Sequence, residues 1–251
     1  MILGEDLDLT RLPPDTTALR LYQIRKPHLP RLQGLERFPL THLELRWFSA
    51  PDLRVIPLPP TLESLMIWHS PQLKSLDGIQ AAQSLTTLTW MDTGRLEDAR
   101  ALHALPNLRR LSFEAGMNQG QKIASLAFLD GLPITHLSLN GIDAKGLSLD
   151  PVARMKGLEE LFIFGRSFAP EELAKAAAAH PALMADLMDL PDYPADFGMR
   201  CKKCGEVKKQ LFLKGKKFLW CPECETKGLQ KNLDWFEGLV AEARAAQQAA
   251  P

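Results

Sequence analysis

A six-residue hydrophobic pattern recurs along the first three quarters of the chain. Apolar residues occupy its first, fourth and sixth positions, so its second half carries an apolar residue at every other position. Because successive strand residues point to opposite sides, this alternation predicts short strands with one buried face. Six clear copies end at Leu45, Ile67, Trp90, Phe113, Leu139 and Ile163, a weaker first copy ends at Leu21, and a degenerate copy, Ala182-Ala185-Leu187, comes last.

The spacing of these copies is nearly constant. Their last apolar positions are separated by 24, 22, 23, 23, 26, 24 and 24 residues, and a period of roughly 20 to 29 residues is typical of leucine-rich repeats. Each unit can bury its leucines only against its neighbours, so stacked units form one continuous core. The pattern therefore predicts an α/β solenoid of about eight repeats over residues 1–190. Short parallel strands line its concave side, and irregular, 3₁₀ or helical segments form its convex side.

Over residues 16–190 the chain resembles the leucine-rich repeat superfamily. The sequence Leu-Pro-Pro-Thr-Leu-Glu-Ser-Leu at residues 58–65 is similar to repeats of bacterial effector and internalin-type proteins. The resemblance implies an arc that binds other proteins. Many of these families place an asparagine three residues after the last strand leucine; here that position holds Phe48, Ser70, Thr93, Gly116 and Ile142. Other side chains or backbone groups are therefore expected to form the hydrogen bonds that the asparagine would make in these turns.

The side chains between and beside the buried strand positions should point out of the concave face. Aromatic, methionine and arginine residues on such a face are typical of the centre and anchors of a protein interface. The predicted partner-binding residues are Tyr22, Glu44, Arg46, Met66, Trp68, Met91, Arg110, Glu114, Phe162 and Phe164. Met66, Trp68 and Met91 should form an apolar centre. Burial of these residues under the tail or a loop is the alternative, and it is stronger for Phe162 and Phe164.

All four cysteines lie within one short segment. Cys201, Cys204, Cys221 and Cys224 follow the spacing C-x2-C-x16-C-x2-C, which suits tetrahedral coordination by four thiolates. Each C-x-x-C should form one knuckle, with a hairpin between them that turns at Lys214-Gly215. The expected cross-strand pairs are Leu213 with Lys216, Leu211 with Phe218, and Lys209 with Trp220.

This segment resembles a zinc ribbon, but only over residues 200–225. Four thiolates leave no open coordination position, so the expected cofactor is one structural Zn²⁺ per chain. Rubredoxin-like iron is the alternative, because the same ligands hold either metal. A redox dithiol is less favoured.

The chain carries equal numbers of Lys+Arg and Asp+Glu, 30 of each, but they are unevenly distributed. Residues 200–251 hold 11 basic and 6 acidic residues, against 19 and 24 before them. The lysines in and around the hairpin are candidates for phosphate contacts. They are Lys202, Lys203, Lys208, Lys209, Lys214, Lys216 and Lys217. The alternative, that these lysines form a solvated surface, is favoured because arginines and clearly exposed aromatic residues are not interleaved with them.

Composition and prolines divide the chain into four expected parts. They are a repeat domain (1–190), a linker (191–199), a zinc ribbon (200–228), and a C-terminal helix with a tail (229–251). Asp234-Trp235-Phe236-Glu237 is a candidate capping box for that helix. A stripe formed by Leu233, Phe236, Val240 and Ala243 should be buried.

Several classes of function are disfavoured. No apolar run reaches the length of a membrane helix, and the start of the chain lacks signal-peptide features, so a cytoplasmic protein without membrane contact is expected. No Ser or Cys nucleophile pairs with the histidines, and every cysteine is assigned to the metal, so we do not expect an enzyme. The leading hypothesis is a non-catalytic protein-interaction scaffold. The alternative is a nucleic-acid-associated protein that uses the basic ribbon.

Overall fold

The fold is described from a computed structural model. It covers residues 2–93, 96–114, 121–140, 142–163, 167–182, 199–211, 213 and 215–249. Of the predicted sites, Phe164 and Lys214 lie outside these residues, as does most of the last copy of the pattern.

An eight-stranded parallel sheet is the largest element of the structure. Its strands, in spatial order, are β1 (Ile2–Leu3), β2 (Ala18–Tyr22), β3 (His42–Arg46), β4 (Ser64–Trp68), β5 (Thr87–Met91), β6 (Arg110–Glu114), β8 (His136–Leu139) and β10 (Glu160–Ile163). The short strands β7 (Gln121–Lys122) and β9 (Ile142–Asp143) pair separately. The seven strands predicted up to Ile163 are confirmed. β1, which the hydrophobic pattern does not mark, is the eighth strand.

Equivalent positions of the repeated pattern lie side by side in this sheet. Leu43 of β3 pairs with Leu19 of β2 and with Leu65 of β4, and this register continues through Leu88 and Leu111. These leucines are buried, as is the second apolar position of each strand up to β8. The alternate residues are half-buried or exposed, so the sheet has one buried face and one solvent-facing side. We call the latter the open face; it is formed by Arg20, Tyr22, Glu44, Arg46, Met66, Trp68, Thr89, Met91, Ser112 and Glu114.

Short 3₁₀ segments and turns connect the strands. The 3₁₀ segments are Gly4–Asp6, Leu9–Arg11, Lys26–Leu32, Leu35–Arg37, Ile79–Ala81, Arg100–Ala104 and Ala127–Leu129. Apolar residues within them, such as Ile79 and Leu102, are fully buried. Gly78 shows how closely these segments approach each other. Its φ is +102°, and a Cβ there would lie 2.4 Å from the backbone of Leu53, so glycine alone fits.

The chain divides into two compact units. Unit 1 comprises Met1–Asp143 and Gly157–Glu160, and unit 2 comprises Ala144–Lys156 and Leu161–Pro251.

Unit 2 contains three helices and the cysteine-rich hairpin. The helices are α1 (Asp150–Ala153), α2 (Pro170–Ala179) and α3 (Thr226–Ala249), and α2 packs against both of the others. The side chain of Glu172 on α2 accepts hydrogen bonds from the backbone N–H of Leu149, at 2.7 Å, and from the hydroxyl of Ser148, at 3.0 Å. These bonds tie α2 to the segment that precedes α1.

The capping-box prediction for the C-terminal helix is wrong. α3 begins at Thr226, so Asp234 lies more than two turns inside it. The helix starts directly after the second cysteine pair: the N–H of Glu225 donates to the carbonyl of Cys221, and that of Leu229 to the carbonyl of Glu225. Of the predicted stripe, Phe236 is buried, whereas the other three residues are only half-buried.

None of the helices in the described ranges is long and apolar enough to cross a membrane.

Candidate metal centre and open face

The four cysteines come together at one point. The Sγ atoms of Cys201, Cys204, Cys221 and Cys224 all lie within 4.8 Å of one another, and those of Cys204 and Cys221 are 3.4 Å apart. Four thiolates about 2.3 Å from a tetrahedral metal ion would be roughly 3.8 Å from each other. The arrangement therefore suits a single metal ion, as the spacing predicts.

The first knuckle is closed by backbone hydrogen bonds. The N–H of Cys201 donates to the carbonyl of Glu206 at 2.8 Å, and the N–H of Gly205 donates to the carbonyl of Cys201 at 2.9 Å. Gly205 has a φ of +81°, a conformation that glycine adopts without steric cost. This turn carries the chain around the metal position directly after Cys204.

The second knuckle is held by Glu225, which the spacing argument did not single out. Its carboxylate accepts a hydrogen bond from the N–H of Cys221 at 3.0 Å and forms an ion pair with Lys217 of the hairpin. Lys217 and then the Cys221 N–H lower the pKa of Glu225, because both interactions favour the charged carboxylate. Glu225 thus joins the hairpin to the second knuckle at the start of α3.

The thiols differ in how easily they lose a proton. Backbone N–H groups of Lys203 and Cys204 lower the pKa of Cys201 to about 6. Hydrogen bonding with Cys204 and burial raise the pKa of Cys224 to about 12. Four clustered thiolates repel one another, whereas a divalent cation among them would offset that repulsion. The donor set therefore fits a metal ion better than four free thiols.

The hairpin has the predicted pairing. β11 (Lys209–Gln210) and β12 (Leu219–Trp220) are antiparallel, with Lys209 opposite Trp220. The N–H of Leu211 donates to the carbonyl of Phe218 at 2.8 Å, and the N–H of Lys216 to the carbonyl of Leu213 at 3.2 Å. Leu211 and Leu213 are completely buried, so the hairpin has an apolar side as well as its cysteines.

Two of the candidate phosphate-binding lysines lie against tryptophan rings. The Lys216 ammonium is 3.8 Å from the centre of the Trp235 ring of α3, and that of Lys217 is 4.9 Å from the centre of the Trp220 ring. Lys217 is also paired with Glu225. Lys202 and Lys203 are exposed, and Lys208 and Lys209 are half-buried. Two of the seven candidate lysines, Lys216 and Lys217, therefore already make contacts within unit 2.

On the open face, Arg46 and Trp68 form a stacked pair. They are neighbours in the register of β3 and β4, and the Arg46 guanidinium lies 4.2 Å from the centre of the Trp68 ring. The carboxylate of Glu44 accepts hydrogen bonds from both Arg20 and Arg46. This double contact holds the guanidinium over the ring.

Methionines extend this pair across the sheet. Met91 of β5 lies beside Trp68, and Met66 of β4 lies beside Glu44 of β3. Both methionines and Trp68 are half-buried. The three residues predicted as an apolar centre are therefore on adjacent strands and reachable from solvent.

The remaining predicted contact residues are more dispersed. Tyr22 ends β2 and is half-buried, and Arg110 of β6 pairs with Glu160 at 3.7 Å. Glu114 ends β6, where its carboxylate accepts hydrogen bonds from Ser138 and Asn140. Phe162 of unit 2 is 55% exposed.

A further exposed aromatic residue lies beyond the predicted set. Trp47, directly after β3, is 46% exposed. Its ring centre lies 4.0 Å from that of His69 and 6.5 Å from that of Tyr22. Hydrophobic periodicity identifies strand positions only, and Trp47 is the residue just after a strand. A tryptophan at that repeated position is the signal that the sequence offers.

A comparison with models of known protein families found no match, and a comparison with curated proteins found none either.

Proposed function

We propose that this protein is a non-catalytic interaction protein whose open face binds a protein partner. The main support for this proposal is the group formed by Arg46, Met66, Trp68 and Met91 on three adjacent strands. Tryptophan, methionine and arginine are enriched at the centres of protein interfaces, where a few buried anchors supply most of the binding energy. The ion pairs of Glu44 with Arg20 and Arg46 fix the arginines before a partner arrives, which lowers the entropy cost of binding.

The proposed architecture behind this face is a leucine-rich repeat solenoid. Its support is the register of the sheet, in which equivalent leucines of the repeated pattern are neighbours from β2 to β8. Short 3₁₀ segments between the strands agree with the proposal. In such a stack the open face is the concave side, and successive repeats present one row of contact residues each.

The proposed metal is one structural Zn²⁺ per chain. The four thiolates would hold it, and zinc would contribute folding energy to the hairpin without leaving a position for substrate. Elemental analysis of protein purified without chelators should give one zinc per chain. Finding one iron per chain instead would establish the rubredoxin-like alternative.

The proposed function is tested by comparing Trp68→Ala with wild type in affinity capture. The intact chain should recover one protein partner, and purified partner should then bind with a measurable Kd. Loss of the tryptophan anchor should cost about 2 kcal/mol or more, which is roughly a thirtyfold increase in Kd. Trp235→Ala, which removes the ring beside Lys216 in unit 2, is the matched tryptophan control and should leave the Kd unchanged.

Two results would count against this function. If recovery of the captured material is lost on nuclease treatment and its binding weakens steeply with salt, the basic ribbon contacts nucleic acid instead. If Trp68→Ala lowers the melting temperature by many degrees and leaves the partner's Kd intact, Trp68 is part of the core rather than a binding anchor.

A further inference from the structure

The turn residues that follow four successive strands adopt the left-handed conformation. Gln23, Trp47, His69 and Asp92 have φ values of 57°, 57°, 51° and 51°. Each N–H donates to the carbonyl of the last residue of the next strand, at 2.9 to 3.1 Å. The hydrogen-bond ladder therefore continues one residue beyond the strands, with the same left-handed conformation at each of these turns.

A large side chain is not needed at such a turn. The left-handed region favours glycine, because a Cβ crowds the following carbonyl there. Trp47 nevertheless occupies one of these turns, and its ring is about half exposed rather than buried in the core. Together Tyr22, Trp47 and His69 make a continuous row of rings, which we call the aromatic row. Residues held in unfavourable conformations cluster at functional sites, and here the side chain that bears this cost is presented to solvent.

A carboxylate without a charged partner lies three strands away. Glu114 accepts hydrogen bonds from the hydroxyl of Ser138 at 2.9 Å and the amide of Asn140 at 3.0 Å, both neutral groups. Within the described ranges no Lys, Arg or His side chain pairs with it, whereas Glu44 pairs with Arg20 and Arg46. The half-buried Glu114 carboxylate therefore provides an uncompensated negative charge at the end of β6.

We infer that the open face binds an extended, basic segment of its partner. The segment places an apolar side chain on the aromatic row and a Lys or Arg side chain at Glu114. Three strand spacings of about 4.8 Å separate β3 from β6, or roughly 14 Å, and an extended chain advances about 3.3 Å per residue. The two contacting residues of the partner are therefore about four positions apart, with Trp68 and Met91 lying between their binding positions. This inference rests on the proposed function.

A random 12-residue peptide library displayed on phage, selected against the intact metal-loaded chain, tests the inference. Selected peptides should carry a Lys or Arg about four positions from a large apolar residue. Measured by isothermal titration with the synthetic peptides, Glu114→Gln should weaken binding about tenfold, because an ion pair is lost. The effect should disappear for peptides in which that Lys or Arg is replaced by Gln, which completes a double-mutant cycle. Glu63→Gln, an exposed carboxylate just before β4, is the matched control and should change nothing.

Trp47→Gly tests the other contact. The variant keeps a residue suited to the turn and removes only the ring, so it should weaken every selected peptide at least tenfold while the far-UV spectrum stays unchanged. Replacing the apolar residue of the peptide by Ala should make the peptide insensitive to this variant.

The possible failures are distinguishable. If Trp68→Ala weakens the peptides but Glu114→Gln does not, or if acidic peptides are selected, the open face binds proteins and the basic-segment inference is overturned. If no selected peptide is sensitive to Trp68→Ala, Trp47→Gly or Glu114→Gln, both the inference and the proposed function are overturned.

Discussion

Ser70 shows how a single buried hydroxyl completes a turn of this fold. It is fully buried, accepts a hydrogen bond from the N–H of Phe48 at 3.1 Å, and donates to the carbonyl of Trp68 at 3.2 Å. It therefore satisfies backbone groups of two successive turns.

Ser70→Ala should destabilise the protein by about 1 to 3 kcal/mol, because it leaves the N–H of the buried Phe48 without its partner. Urea unfolding monitored by circular dichroism measures the loss. Ser112→Ala, on the half-exposed open face, is the matched control and should change stability by less than about 0.5 kcal/mol. Equal stability of the two variants would show that water replaces the Ser70 hydroxyl.

Residue roles were predictable from the sequence where chemistry restricts the choice. The spacing of the four cysteines alone predicts that they bind a metal ion, and their sulfur atoms lie close together in the structure. Ser70 and Trp47 were harder to predict, because hydrophobic periodicity assigns faces to strand residues but says nothing about turn dihedrals. The sequence shows a serine at position 70, but it does not show which backbone groups that serine contacts.

At the scale of elements, α3 contains two glycines in very different surroundings. A Cβ built on Gly228 would lie 2.8 Å from the Trp220 ring, whereas one built on Gly238 meets nothing within 4 Å. The Trp220 ring is held in place because its Nε1 donates to the carbonyl of Lys217 at 2.6 Å.

Gly238→Ala should stabilise the protein by about 0.5 to 1 kcal/mol, since alanine loses less conformational entropy in a helix. Gly228→Ala gains the same helix propensity but must displace a ring fixed by a hydrogen bond, so a net loss of stability is expected. Thermal melts of the metal-loaded protein compare the two variants, and tryptophan fluorescence reports movement of Trp220. A stabilising Gly228→Ala would mean that the hairpin shifts without cost.

Strands were easier to predict than helix boundaries in this chain. The repeated apolar pattern places β2 to β6, β8 and β10, because each of these strands carries two apolar residues spaced two positions apart. The start of α3 is not predictable from local sequence. The capping-box pattern at Asp234 suggests one helix start, but the turn around the second cysteine pair sets another. The second knuckle turns directly into helix at Thr226, whose hydroxyl donates to the carbonyl of Pro222 at 2.6 Å.

At the scale of the whole molecule, the cysteine cluster lies in unit 2, whereas strands β1 to β6 and β8 lie in unit 1. Structural zinc contributes on the order of 10 kcal/mol to small modules, which exceeds the stability that a hairpin of this size can supply from its own core. The cores of β2 to β6 contain no metal ligand among the described residues.

Cys204→Ser, or chelation of the wild-type metal, should therefore unfold the hairpin and leave the sheet folded. Limited proteolysis followed by mass spectrometry should show rapid cleavage after residue 199 and a protected fragment containing β1 to β6. Tryptophan fluorescence should shift to longer wavelength as Trp220 and Trp235 become solvated. Lys203→Ser, which alters an exposed residue beside the ligand, is the control and should retain the metal. Loss of the β1 to β6 fragment in Cys204→Ser would show that the two units fold cooperatively.

The left-handed turns after β2 to β5 have a consequence for how binding specificity can diverge. Each turn contributes a backbone N–H to the ladder, and none of the four left-handed residues is buried, so the fold constrains the dihedral angles of Gln23, Trp47, His69 and Asp92 more than their identities. Point substitutions along this edge would change the chemistry offered to a partner without insertions and without repacking of leucines. Because the centre of the Trp47 ring lies 4.0 Å from that of the His69 ring, and His69 lies 3.8 Å from the Asp92 carboxylate, such substitutions would act through neighbouring pairs of side chains, while the backbone beneath them stays the same.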